Sequence, residues 1–350
     1  MTRRYAVLAP HRFASDAKTA HGVIRYASDP VVAVIDPEHA GKRVRDVVPH
    51  LESDAPIVAT VAQALALEPT ALLIGTAPKG GALPPDWRAA VLEAIAARLE
   101  IVSGLHDILG YDAEFRAAAN AAGTTIWDVR IPPQVPIFSG AAYRITAPVL
   151  LTVGNDCAVG KMTAALEIVR AARNAGAAPL FVPTGQTGVM IAGWGASVDR
   201  VIADFAAGAC EQLVLEASRR AGNPIVVEGQ GSIDHPAYAG VSAALLFGCA
   251  PDALVLVCDP SREYLEETTI RCMSYAEAID VHERLLARVK PAPIVGIALN
   301  TRSLSTEDAH RAIERARSET GLPADDVVRF GAGNFYAAIA PVLIKRIKPA

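Results

Sequence analysis

The sequence predicts an α/β protein built from two parallel-sheet domains. Three observations point there. Short, near-continuous apolar runs recur along the chain, Ala-rich amphipathic segments separate them, and one run leads straight into a glycine-bounded loop that carries a lysine.

The 350 residues suffice for two ordinary domains, and 51% hydrophobic content supplies a large core. The aliphatic stretches VLLTV, PIVVEG, ALVLVC and PIVGIAL are each bounded by Gly, Pro or a charge, far short of the roughly 20 apolar residues of a membrane span. The start MTRRYAVLAPHRF has too short an apolar run for a signal peptide, so a cytoplasmic protein is expected. The cysteines, at 157, 210, 249, 258 and 272, form no CxxC pair, which suits free thiols in a reducing compartment and argues against a zinc site. A formal net charge of -4 with scattered basic residues gives no reason to expect a nucleic-acid partner. Small-molecule substrates are the expectation.

In chain order, RYAVLAP, DPVVAVIDP, APIVAT, TALLIGTA, LEIVSGLHD and TTIWDVR read as the strands of a first domain, residues 1–130. The stretch 131–147 contains Pro132, Pro133 and Pro136 with little periodicity, and reads as a linker. Alternation resumes over 148–350: strand VLLTV (149–153), a helix from about Met162, strand PLFVP, a helix over roughly 199–220, then strands PIVVE, ALVLVC, PIVGIAL and VVRF. A final helix containing Pro341 leads into a basic tail. An apolar, Ala-rich chain of this kind is expected to associate as a homodimer or larger.

The loop Gly154-Asn155-Asp156-Cys157-Ala158-Val159-Gly160-Lys161-Met162-Thr163 resembles a Walker A motif, but five residues separate its glycines and Met162 stands between the lysine and the hydroxyl. Strand, loop and helix in that order are the context for phosphate binding: backbone amides point at the anion, Gly160 permits close approach, and Lys161 adds charge. The displaced hydroxyl of Thr163 weakens the case for Mg²⁺ and NTP hydrolysis more than the case for phosphate.

Other strand ends carry further candidates. Strand PIVVE ends in Glu228, followed by Gly229, Gly231, Asp234 and His235; Glu228 and His235 are candidate proton acceptors in the crevice beyond the sheet. Gln186 and Thr187, in TGQTG, read as a mobile loop that closes on a ligand. Asp204 opens the next helix, and Asn300 ends a later strand where a base is commonly held. Arg262 and Arg271, in a segment that reads equally as a solvated helix face, are candidate carboxylate partners, as is Lys79 in GTAPKGG. His106 and Asp107 occupy another polar loop of the first domain.

The blocks GNDCAVGKMT, TGQTG, ADFAAGA and VEGQGSIDHPAYAG, in that order, resemble a bacterial and archaeal family represented by a D-glutamate N-acetyltransferase. The resemblance spans essentially the whole chain. It implies a Rossmann-like N-terminal domain, a C-terminal P-loop NTPase-like domain, and acetyl transfer from acetyl-CoA to the amine of D-glutamate. It further implies a functional partner enzyme that converts N-acetyl-D-glutamate into its L form. The C-terminal half is also similar to dethiobiotin synthetase, whose loop has the same gap and whose later strand likewise ends in Glu-Gly, though Met162 departs from that pattern.

Two enzymatic readings follow. In the first, the loop with Lys161 holds coenzyme A phosphates, His235 or Glu228 is the base, and Arg262, Arg271 or Lys79 meets the substrate carboxylates. In the second, an ATP-dependent ligase or kinase acts on a small carboxylated amine, and Thr163 with Glu228 or Asp156 holds Mg²⁺. A nucleotide-sensing regulator is a third reading, supported only by the two-domain layout. Residue chemistry alone ranks Mg-ATP first; the whole-chain resemblance puts acetyl-CoA ahead.

Overall fold

The structure, a computed structural model, describes residues 2–76, 78 and 80–345. The chain forms two compact units: Met1–Pro132 with Gln186–Ser197, and Pro133–Gly185 with Val198–Ala350. Each holds one six-stranded, all-parallel sheet.

In the first unit β1 (Tyr5–Leu8), α1 (Lys18–Tyr26), β2 (Val31–Ile35), α2 (Val44–Val47), β3 (Ile57–Val58), α3 (Val61–Leu65), β4 (Ala71–Ile74), α4 (Arg88–Ala96), β5 (Glu100–Ser103), α5 (Ala113–Ala122) and β6 (Ile126–Asp128) alternate strictly. The strand order is β3-β2-β1-β4-β5-β6, the doubly wound order of dinucleotide-binding domains. Strands β1 and β4 are buried at every position, as a strand covered on both faces must be. Leu8, Leu72, Ile74, Ile95, Ile101 and Phe115 lie among the core residues. The Asp112 carboxylate accepts the amides of Glu114 and Phe115 and so caps α5, while its other contacts bind Arg88.

The second unit contains β7 (Val149–Gly154), α6 (Lys161–Asn174) and β8 (Leu180–Val182). The chain then passes through α7 (Gln186–Ala192), which belongs to the first unit and packs on α1. It returns for α8 (Ala203–Arg219), β9 (Ile225–Val227), α9 (Ala239–Gly248), β10 (Ala253–Cys258), α10 (Tyr275–Leu286), β11 (Ile294–Leu299), α11 (Thr306–Thr320), β12 (Ala324–Asp325) and α12 (Gly333–Lys345). The order β12-β11-β10-β7-β9-β8 puts β7 between β10 and β9. The loop after β7 therefore lies among the carboxyl ends of central strands, where ligands bind in such sheets.

Four local expectations change. TGQTG is not a mobile loop: Gln186 begins a helix, and Gly188 is buried in it. The stretch VVRF is not a strand. The ladder runs through Ala324–Asp325, and the Asp326 carboxylate then takes the amides of Val328 and Arg329 into a turn. The segment around Arg262 and Arg271 is not a helix but a loop carrying an antiparallel bridge between Tyr264 and Arg271. The proline-rich stretch is no separate tether beyond Pro132: from Pro133 it is part of the second unit, where the buried Glu211 carboxylate accepts the amides of Ser139 and Ala142. Among the described residues no helix is long and apolar enough to cross a membrane.

Candidate functional site

β7 delivers the chain into the loop through Gly154, and two close contacts explain that glycine. A Cβ there would fall 2.9 Å from Lys161 Nζ and 3.0 Å from Asp156 O. Gly160 has φ +107, a left-handed conformation that an L side chain resists, and it turns the chain into the first residue of α6. Lys161 is 5% exposed, and its Nζ donates to Asp156 O at 2.6 Å. Burial lowers its pKa to about 8. An anion in the loop would therefore stabilise the ammonium form, which desolvation disfavours.

The loop is braced by its neighbours. The Asp156 carboxylate, fully buried, accepts from the Cys157 amide (2.7 Å), the Arg262 guanidinium (2.6 Å) and the Glu266 amide (2.9 Å). Arg262 also donates to Cys157 O at 3.1 Å. Asn300 Nδ2 reaches Val159 O at 3.2 Å, tying the end of β11 to the loop. Asn155 is buried, and its Oδ1 has no hydrogen-bond partner among the described residues. Ala158, at φ +55, is strained for an alanine.

Glu228 follows β9, which pairs directly with β7. Its carboxylate is 6% exposed and accepts the amides of Thr184 (3.0 Å) and Gly185 (3.2 Å). Burial raises its pKa to about 7, outweighing the two amides that pull it down. It is thus a carboxyl group poised to exchange a proton near neutrality. Gly229 brings the backbone against β7: its amide donates to Thr152 Oγ1 at 2.9 Å, and a Cβ on it would lie 1.7 Å from Thr152 O and 3.2 Å from Lys161 Cδ. Thr152 and Thr184 escape a reading of the sequence because a threonine inside or just after an apolar run looks like ordinary strand composition.

His235 is placed differently from a general base. Its Nδ1 accepts the Ala237 amide at 3.2 Å and its Nε2 lies 3.0 Å from Glu266 O. Both ring nitrogens are spent on backbone groups, so the imidazole fastens the loop that also holds Asp156. Asp156, Cys157 and His235 do present ligand atoms within 4.8 Å of one another. The carboxylate and imidazole partners just described, and a Cys157 thiol pushed up to about 11 by burial and then by Asp156, make this a hydrogen-bonded brace.

The remaining candidates differ in their settings. Arg271 is exposed, bound to Glu263 at 2.9 Å and lying over the Tyr264 ring. Asp204 is exposed on the first turn of α8, where the helix dipole favours it. Thr187 Oγ1 sits 3.2 Å from Thr19 Oγ1, and Gln186 lies against Gly104, both within the first unit. Met162 and Thr163 are half-buried on the first turn of α6. Lys79 lies outside the described residues.

Comparison with known proteins agrees with this architecture. Residues 136–336 match the family model described as "Domain of unknown function (DUF1611_C) P-loop domain", and residues 37–132 match its "Rossmann-like domain" counterpart. A D-glutamate N-acetyltransferase from Tritonibacter scottomollicae is 38% identical over 286 residues, covering 81% of this chain and 85% of that protein. Another, from a Pseudoalteromonas species, is 35% identical over 285 residues, covering 79% and 83%. The crystal structure of a DUF1611 family protein from Anabaena variabilis, 37% identical, superposes with a TM-score of 0.90 over 97% of this chain and 100% of that one. With both domains matched and whole-chain relatives above a third identical, the chain belongs to the DUF1611 family, that of the D-glutamate N-acetyltransferases, joining a Rossmann-like domain to a P-loop domain.

Proposed function

We propose that the protein is a D-glutamate N-acetyltransferase that takes its acetyl group from acetyl-CoA, with the loop around Lys161 holding coenzyme A phosphates. The observation that carries the reading is the pairing, at the ends of adjacent strands β7 and β9, of a buried lysine in a glycine-bounded loop with a buried, protonatable carboxyl group, Glu228.

The residues fit an anionic cosubstrate. Lys161 Nζ is bound to a backbone carbonyl of its own loop, and the Asn155 Oδ1 has no partner among the described residues; turned over, that side-chain amide would offer N–H donors to an anion. Successive side chains on a helix are about 100° apart, so a hydroxyl one position late does not point where a Walker A hydroxyl does, and Met162 takes that direction. Asp156 is committed to Arg262 and two amides, whereas both amides that Glu228 accepts go to its Oε2. This arrangement suits holding phosphates rather than cleaving between them.

Acetyl-CoA would supply a thioester-activated acyl group. Glu228, ionised above pH about 7, would take a proton from the substrate ammonium so that nitrogen has a lone pair to form the amide bond. Lys161 and the loop amides hold the anionic end in place, and the Asp156–Arg262 ion pair keeps the loop shaped for it. Overall, an ammonium becomes an amide, a thioester becomes a free thiol, and one proton is released.

The reading is tested by incubating the protein with D-glutamate and either acetyl-CoA or Mg-ATP, following free thiol and ADP. Thiol release that depends on D-glutamate, without ADP, is expected. ADP formation that depends on the amino acid would replace the reading with an ATP-dependent one. Lys161→Ala should weaken coenzyme A binding at least tenfold in titration calorimetry; unchanged affinity would put the cosubstrate elsewhere.

A further inference from the structure

The first unit contains a cavity of about 430 Å³ at the carboxyl ends of β4, β5 and β6. It is lined by Pro78, Gly80, Gly81, Gly104, His106 and Arg130. Its size lies within the range of small-molecule sites, and its position is where ligands sit on parallel sheets.

The walls are fixed by specific contacts. Gly80 and Gly81 have φ +82 and +70, and a Cβ on Gly81 would lie 2.4 Å from His106 Cδ2. Gly81 O accepts the amides of His106 (2.9 Å) and Asp107 (3.2 Å), so the loops after β4 and β5 are pinned together with the imidazole against a bare backbone. Arg130 is only 6% exposed, and its Nε donates to Gly104 O at 2.7 Å, which fixes the plane of the guanidinium. Gly104 has no room for a side chain of its own: a Cβ there would lie 2.9 Å from Met190 Cε and 3.0 Å from Gln186 Cγ. Helix α7 is therefore part of the same construction.

A permanently charged, planar group held in a low-dielectric wall is suited to a carboxylate, which it meets through a two-pronged fork, and glycines let the ligand approach the backbone closely. We propose that this cavity binds a carboxylate of a small amino acid or dicarboxylic acid, with Arg130 as its charge partner and His106 as a second polar wall. The proposal rests on the acetyl-acceptor reading only for the identity of that acid, D-glutamate.

The test uses two probes on the whole protein, D-glutamate and glutarate; the latter keeps both carboxylates but has no amine to acetylate. In wild-type protein, millimolar glutarate should slow hydrogen exchange at the amides of Gly80, Gly81 and His106. Arg130→Gln should weaken binding of both probes at least tenfold in calorimetry, Arg130→Lys should recover part of that loss, and coenzyme A affinity should stay unchanged in both variants. Should Arg130→Gln fail to fold, the wild-type exchange measurement decides. Acetylation of D-glutamate with no protection of these amides would overturn the cavity assignment while leaving the proposed function standing. Protection by glutarate without any acetyl transfer would sustain the cavity and sink the function. Protection by inorganic phosphate but not by glutarate would overturn the carboxylate assignment.

Discussion

At the scale of single residues, Glu228 makes the sharpest prediction. Its pKa is raised by burial from the ordinary carboxyl range to about 7, so the ionised, proton-accepting form dominates only above that pH. Turnover should therefore rise about tenfold per pH unit below 7 and level off above it. Glu228→Gln should lose at least ~100-fold in kcat together with that limb of the profile. The stability consequence has the opposite sign. A carboxyl group with a raised folded-state pKa contributes stability that is complete below about pH 4.5 and is lost as pH rises through about 7, an effect of ~3 kcal/mol. Thermal unfolding of wild type and Glu228→Gln, compared from pH 4 to 8, should show the wild type losing ground to the variant as pH rises. Parallel curves would mean that the Thr184 and Gly185 amides offset the burial.

At the scale of elements, the β7–β9 junction carries the densest constraint. The Gly229 amide is satisfied by Thr152 Oγ1, and no side chain fits between Gly229 and Thr152 O. Gly229→Ala should cost more than ~3 kcal/mol in denaturant unfolding, because backbone rather than a movable side chain must yield. The same change in a flexible turn would be nearly silent. The elements also show what the sequence discloses. Strands β1, β4, β7, β10 and β11 were legible because a strand covered on both faces must be apolar throughout, and the loop around Lys161 was legible because its glycines and lysine follow such a strand. Helix α7 was not, since TGQTG has loop composition and becomes helical only where tertiary packing on α1 overrides propensity. The short β12 was hidden in the same way by the more apolar VVRF that follows it, which the Asp326 carboxylate diverts into a turn. In the candidate site, residue types at strand ends singled out Glu228 and Lys161, both of which are buried at the ends of the adjacent strands β7 and β9. The roles of Asp156, Arg262 and His235 as braces depend on hydrogen bonds between separate segments, 106 residues apart for Asp156 and Arg262 and 31 for His235 and Glu266, which no spacing rule reveals.

At the scale of the whole molecule, the first unit is completed by a segment that lies far along the chain, Gln186–Ser197. Ser197 Oγ contacts Val129 O at 3.3 Å, and Gln186 and Met190 press on Gly104, so the segment is integral to that unit's packing. A fragment ending at Pro132 would expose the face of α1 that α7 covers. Such a fragment should express with low solubility and unfold with a shallower denaturant dependence than its size predicts. A version extended by a short linker and residues 186–197 should regain a cooperative transition; if the bare fragment already unfolds cooperatively, the segment is not needed to complete the unit.

The excursion of α7 also bears on heredity. Two domains joined at one hinge can be shuffled like cassettes, each inherited or replaced alone by a single recombination event. Here the chain leaves the first unit at Pro132, re-enters it at Gln186 and leaves again at Ser197, so an exchange at any one of these points makes a hybrid of at least one of the two units. A working chimaera between two relatives would need matched breakpoints on both sides of α7, and the pair of domains should descend through evolution as one indivisible gene segment.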